Sequence, residues 1–268
     1  MHELKQLAKQ ILKESKNLPF SVYSSHREQN IFSVPIVNPT LICVLDGCKE
    51  LGGDRQKSCS TGEFIFLSNS PKIDMRNIPG DSEYFALLIE FEYNDFDRLT
   101  LARNKEEKYF TGDIDSTLEL ALHQFMEWSS SVPFDLWHIR RQEILQTLLH
   151  LGYQEVASVF ESTSVSQKLY KIISENPAAD LRVDMLASKL SMSESTLRRK
   201  LNSEGTSIKV IIDDIRLGLG LHLLQTTFEP VGRISERCGY KSQSRFSDKF
   251  KRSFGITPIE LRKTRVNV

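Results

Sequence analysis

Residues Ile234 to Pro258 read ISERCGYKSQSRFSDKFKRSFGITP, and this stretch decides the fold of the last third of the chain. Ile234 and Cys238 lie four apart, as do Phe246 and Phe250, so two short helices each present an apolar face. Between them Gly239 supplies the positive φ that a tight turn requires, and Ser242 stands where the second helix needs an N-cap. The reading is helix, tight turn, helix. The remaining faces of the second helix carry Gln243, Ser244, Arg245, Lys249, Lys251 and Arg252. Arg and Gln bond base edges in a major groove, and Lys neutralises phosphates.

The same unit occurs once more upstream. Leu186, Leu190, Leu197 and Leu201 fall at the relative places of Ile234, Cys238, Phe246 and Phe250, with Ser193 as the matching cap. Its second helix exposes Ser195, Thr196, Arg198, Arg199 and Lys200. One basic amphipathic helix is more often a solvated surface helix than a groove reader. Two at corresponding places reverse that preference. Between the copies, Ser207 to Thr227 carries Ile208, Ile211, Ile212, Ile215, Leu219, Leu223 and Leu224 at helical spacing. A continuous helix there is a stiff spacer at about 1.5 Å per residue. It would hold the two recognition helices about one DNA turn apart, roughly 34 Å.

Residues 166–268 resemble the DNA-binding domain of the AraC/XylS transcription regulators. The resemblance is strongest over Ile234 to Pro258, and Arg216-Leu217 with Leu223-Leu224 matches the family's connecting helix. It implies an activator that contacts RNA polymerase as well as double-stranded DNA. Three positions depart from the family pattern: Asp248 replaces an arginine, Ser235 an alanine, and Ser191 the glycine of the first turn. Arg182 stands where a Ser or Thr cap is usual, so that helix start is expected to be less well capped.

Charge divides the chain in the same way. The 268 residues have zero formal net charge. Residues 166–268 nevertheless hold 19 Lys and Arg against 11 Asp and Glu, and residues 1–165 hold 16 against 24. A basic part joined to an acidic part places the polyanion partner on the first alone. With 40% hydrophobic and 26% charged residues the composition is that of a folded globular protein. No apolar run is long enough for a membrane span, and Met1 to Lys16 lacks the apolar stretch of a signal peptide, so a cytoplasmic protein without a membrane partner is expected. Cys43, Cys48, Cys59 and Cys238 show no paired spacing and read as reduced thiols rather than zinc ligands or disulfides.

The N-terminal part opens with an amphipathic helix over the first fifteen residues, on Leu4, Leu7, Ala8, Ile11 and Leu12, ended by Pro19. From Phe20 to Phe91 the chain becomes short β-rich runs, among them Leu41 to Leu45, Glu63 to Leu67 and Tyr84 to Phe91. Asp46-Gly47, Gly52-Gly53, Thr61-Gly62, Ser70-Pro71 and Pro79-Gly80 punctuate them as turns. Two helical stripes follow: Ile114, Leu118, Ala121, Leu122 and Phe125, then Leu136, Ile139, Leu145, Leu148 and Leu149. Those stripes either cover the strands or pair with a second chain.

The stretches Asn38 to Glu50 and Thr61 to Leu67 resemble the cupin-like effector or dimerisation domain of one branch of AraC regulators. The expected fold is therefore α+β: an N-terminal antiparallel, cupin-like β-barrel with flanking helices over 1–160, a linker at 161–166, and an all-α domain of two helix-turn-helix units over 167–268. The first domain would sense a small molecule, make a homodimer, or both; a domain that only mediates protein contacts is the alternative. Arg27, Lys49 and Lys72 are conceivable anchors for an anionic effector, with surface charge the stronger reading of each. A metalloenzyme is disfavoured because Phe32 to Phe91 contains no histidine, so no catalytic residue, metal or cofactor is expected.

Overall fold

The computed structural model describes residues 1–14, 17–52, 57–68, 72–97, 99, 109–129, 131–158 and 164–265. The chain forms two compact units, residues 1–160 with 261–268, and residues 161–260. Gly53 of the Gly52-Gly53 turn, the whole Ser70-Pro71 turn, and residues 161–163 of the expected linker lie outside the described residues.

In the first unit helix α1 (His2–Glu14) precedes strands β1 (Ser21–Ser25), β2 (Gln29–Val34), β3 (Thr40–Asp46), β4 (Cys48–Leu51), β5 (Lys57–Ser60), β6 (Glu63–Leu67), β7 (Ile73–Ile78), β8 (Tyr84–Glu90) and β9 (Tyr109–Asp113). Helices α2 (Ser116–Ser129) and α3 (Trp137–His150) follow. The strands make two antiparallel sheets, ordered β1-β8-β3-β6-β9 and β2-β7-β4-β5. Asp46-Gly47 is a corner at which the chain leaves one sheet for the other. Gly47 has φ 82°, and a Cβ there would lie 2.4 Å from the carbonyl oxygen of Ile78.

The apolar runs of β3 and β8 lack alternation because the first sheet is buried on both faces. Leu41, Cys43 and Leu45 pack with α1, α2 and α3, whereas Ile42 and Val44 face the second sheet. Helices α2 and α3 thus cover the barrel. The second stripe differs from its sequence reading, however: Leu136 and Ile139 are exposed, and Trp137, Arg141, Ile144, Leu145 and Leu148 form the buried face. Leu136 and Ile139 sit at the start of α3, on a side that the sheet does not cover. α1 is pinned by charge as well as packing. Lys5 Nζ donates to Asp46 at 2.6 Å, and both Lys5 and Lys9 pair with the buried Glu83.

The second unit runs α4 (Val165–Ser174), α5 (Val183–Lys189), α6 (Glu194–Ser203), α7 (Ile208–Thr226), α8 (Val231–Arg237) and α9 (Gln243–Phe254), and α10 (Pro258–Lys263) begins within it. Residues 164–166, read from sequence as linker, instead start α4. Ser164 is its N-cap, and the Glu204 carboxylate accepts from the Val165 and Ser166 amides at 2.8 Å each. A carboxylate on otherwise unpaired N-terminal amides complements the helix dipole.

Helix α7 is buried on more than one side, unlike the single stripe expected. Ile208, Ile211 and Ile215 join the core of α4, α5 and α6. Farther along, Gly220 lies so close to α9 that a Cβ would meet the Phe246 ring at 2.7 Å.

Candidate nucleic-acid interface

Each recognition helix starts where its cap places it. Ser193 accepts from the Thr196 amide at 3.2 Å, and Ser242 from the Arg245 amide at 3.4 Å. Such a cap stabilises a helix start by about 1 kcal/mol. Inside the second unit Leu197 and Leu201 hold α6 to the core, while α9 is held by a ladder of rings at i, i+4 and i+8. Phe246, Phe250 and Phe254 are each fully buried, with centroids 5.5 and 4.6 Å apart.

With those faces inward, the opposite faces carry the basic residues. Ser195, Arg198, Arg199 and Lys200 on α6 are exposed, and Thr196 is half-buried. On α9, Gln243, Ser244, Arg245, Lys251 and Arg252 are exposed. Among the described residues, Arg198, Arg199, Lys200, Arg245, Lys251 and Arg252 make no ion pair and no side-chain hydrogen bond, so six cationic heads are unspent. A solvated helix of a monomer usually intersperses carboxylates with its cations. Here Glu194 and Asp248 are the acidic residues of the two helices.

Lys249 is different. It is half-buried, its Nζ is ion-paired with Asp213 on α7, and it lies 5.9 Å from the Tyr240 ring centroid. This lysine ties α9 to the spacer helix. Sequence reading also missed Asp214, buried on α7 and accepting from the Tyr170 hydroxyl of α4 at 3.0 Å. Both aspartates stand among the isoleucines of α7, and nothing in their spacing distinguishes a buried partner from a solvated charge. Arg216 completes the set. It donates to the carbonyls of Pro177 and Ala179 at 2.8 and 3.1 Å, and its guanidinium carbon lies 2.9 Å from where a Cβ of Gly239 would sit. One side chain therefore braces the loop after α4 against the turn of the second helix-turn-helix.

Comparison with known proteins agrees with this geometry. Residues 186–264 match the family model of a helix-turn-helix domain. The urease operon transcriptional activator of Escherichia coli is 37% identical over 97 residues, 36% of this chain and 33% of that protein. The HTH-type transcriptional regulator AdiY of Escherichia coli K12 is 37% identical over 95 residues, 35% and 38% of the two chains. Residues 186–264 are thus similar to the helix-turn-helix domains of known transcription regulators. The matched stretch spans little more than a third of either relative's length. Over nearly the whole chain the fold is that of ToxT from Vibrio cholerae. An apo form of ToxT carrying a single substitution superposes with a TM-score of 0.71 at 14% identity, covering 94% of this chain and 100% of that one. Fatty-acid-bound wild-type ToxT gives 0.68 at 13% identity, covering 95% and 99%.

The departures from the AraC/XylS pattern have local consequences. Asp248 is exposed on α9, so the phosphate or base contact of an arginine there is absent. The Ser235 hydroxyl is absorbed by the Gly232 carbonyl at 2.7 Å. Arg182 occupies the N-cap of α5 without a side-chain cap bond, and pairs with Asp184 instead.

Ser191 has φ 53°, a left-handed conformation that glycine adopts without penalty and that costs other residues about 1 kcal/mol. Ser191→Gly should therefore raise stability by roughly 0.5 to 1 kcal/mol, net of the entropy glycine adds to the unfolded chain. Chemical denaturation of the two proteins measures it. A less stable variant would show that the serine side chain, and not the backbone, governs that turn.

Proposed function

We propose that the chain is a sequence-specific, DNA-binding transcription regulator in which α6 and α9 enter successive major grooves on one face of the duplex. The observation that carries the reading is the pair of capped helices with unspent cations, each facing outward from a core anchored on α7. Arg198 or Arg199, and Gln243 or Arg245, lie in the early turns of their helices and read base edges. Lys251 and Arg252 lie later and hold phosphates. Lys249, assigned to phosphate from sequence alone, acts through its pair with Asp213 to set the angle of α9.

Arg245→Ala should cost about 1 to 3 kcal/mol on the specific site and relax base preference at one position. Lys251→Ala should weaken all sequences alike and lower the salt slope by about one. Binding titrations of both variants at several salt concentrations check this. Equal losses for Arg245→Ala on specific and random DNA would place α9 against the backbone, outside the groove.

The regulatory division is 1–160 as effector and dimerisation domain, 161–166 as linker, shortened by the start of α4, and 167–268 as DNA-binding domain. Activation through RNA polymerase in the cytoplasm is supported by the urease operon relative, a transcriptional activator, and, among the described residues, no helix is long and apolar enough to cross a membrane. A small-molecule effector is supported by the fold shared with fatty-acid-bound ToxT.

Homodimerisation is supported by the apolar residues that the barrel leaves uncovered. Leu120 is 58% exposed, Phe134 63% and Ile139 48%. Exposed apolar residues of this size gathered on neighbouring elements mark interaction surfaces. Replacing Phe134 and Ile139 together by Asp should convert a dimer to a folded monomer in sedimentation at micromolar concentration. A variant that stays dimeric would assign the interface elsewhere.

Of the sequence-level effector anchors, Arg27 and Lys72 are exposed and read as surface charge. Lys49 is not on the surface: it is 2% exposed, so the surface-charge reading fails for it.

A further inference from the structure

The two units do not divide the chain where the helix-turn-helix match ends. That match runs to residue 264, yet the second unit ends at 260 and residues 261–268 group with the first. Residues expected to close the DNA-binding domain are instead built into the barrel unit. The second unit is therefore an insertion, joined to the first by chain at both of its ends.

Within the first unit the returning residues sit at the start of β2, an edge strand of the second sheet. The His26 amide donates to the Thr264 carbonyl at 2.8 Å, and His26 Nδ1 lies 3.1 Å from the Arg265 carbonyl oxygen. Gln29 Nε2 donates to Thr264 Oγ1 at 2.7 Å. Gln29 and Thr264 are both buried, and so is Leu261, one turn earlier on α10.

The Gln29 bond is the end of a row that crosses the sheet. Gln29 is paired with Asn77 on β7, and Asn77 with Lys49 on β4. Lys49 Nζ donates to Asn77 Oδ1 at 2.7 Å, and Asn77 Nδ2 to Gln29 Oε1 at 2.8 Å. An ammonium can only donate. It therefore turns the Asn77 oxygen toward Lys49, which turns the Gln29 oxygen toward Asn77 and presents the Gln29 NH2 to Thr264. The Thr264 hydroxyl accepts there, and its own proton goes to the Leu261 carbonyl at 2.6 Å. All four side chains are buried, where an unmade hydrogen bond is costly. The row thus selects a hydroxyl at position 264 and holds it.

We propose that Gln29 and Thr264 form a latch that holds the second unit by its C-terminal end and thereby sets which spacings between repeated DNA sites a dimer accepts. A unit held at one end can turn about that connection; a unit held at both ends cannot turn about either alone. Stiffly connected binding modules engage together only where two sites match their span, whereas loosely connected ones engage over many spans. Gln29 and Thr264 are positioning residues. Neither lies on α6 or α9, so they act on the placement of those helices and leave base reading unchanged. The proposal rests on the reading of the chain as a homodimer on DNA.

The test is binding of the full chain to DNA carrying one site from a promoter fragment that it retains, two such sites, or two sites moved apart by a half-turn of about 5 base pairs. The proteins are the wild type, Thr264→Val, Thr264→Ser, Gln29→Leu and the double variant Gln29→Leu/Thr264→Val. The added half-turn should weaken the wild type roughly tenfold or more, and Thr264→Val and Gln29→Leu no more than about threefold. Thr264→Ser keeps the hydroxyl and should behave as wild type. The double variant should be no looser than either single one, since both remove the same bond. Affinity for one site should be the same in all five. Hydrogen exchange at the His26 amide, which is bonded to the Thr264 carbonyl, should speed up in Thr264→Val and report the release directly.

A Thr264→Val protein as sensitive to the half-turn as the wild type, or with unchanged exchange at His26, would overturn the proposal and leave the dimer intact. Loss of single-site binding in both Thr264→Val and Gln29→Leu would make the bond a structural one and overturn it as well. A wild type indifferent to the half-turn would remove the homodimer reading, and the proposal with it.

Discussion

The arrangement of the DNA-binding unit depends on one rigid element, helix α7, to which both helix-turn-helix units are fastened. Its first turns sit in the core of the first copy through Ile208, Ile211 and Ile215. Its later turns meet the second copy at Gly220, where the absence of a Cβ admits the Phe246 ring. Polar ties repeat the division: Asp214 holds Tyr170 of α4, Asp213 holds Lys249 of α9, and Arg216 braces the Pro177 to Ala179 loop against Gly239. A helix of 19 residues spans about 28 Å at 1.5 Å per residue. On the proposed function, two helices fixed to one such rod meet DNA as a single unit and do not adjust to it independently.

Much of this unit was legible in the residues. Ser193 and Ser242 announced the helix starts, Gly239 the second turn, and the four-residue spacing of Leu197 with Leu201 and Phe246 with Phe250 the buried faces. The spacer was legible as a helix but not as a doubly buried one. Periodicity reports a single apolar stripe, whereas α7 meets two cores on different sides and buries Asp214 and Gln225 with its leucines. The start of α4 was hidden for another reason. A Ser-rich stretch reads as linker, and the cap that orders it comes from Glu204, 38 residues away from Ser166.

The barrel was legible in its strands and less so in its surroundings. Leu41 to Leu45 reads as a buried run because helices cover one face of its sheet and the second sheet covers the other. Which helix residues do the covering was not fixed by spacing, and Leu136 and Ile139 proved exposed. Lys49 illustrates a limit of composition. A lysine between cysteine and glutamate on a short strand resembles surface charge, and only the register of β4 between β5 and β7 turns it inward beside Asn77. The acidic first unit thus buries Lys5, Lys49 and Arg141, while the basic second unit displays, among the described residues, six unpaired cations on α6 and α9.

The central claim, that one chain reads two successive major grooves through helices fixed to α7, is tested most directly by hydroxyl-radical footprinting of the full chain on a genomic promoter fragment that it retains. The account predicts, for each bound chain, two protected patches on one face of the duplex, separated by about one helical turn of 10 to 10.5 base pairs. A single protected patch per chain, or two patches on opposite faces of the DNA, would contradict it.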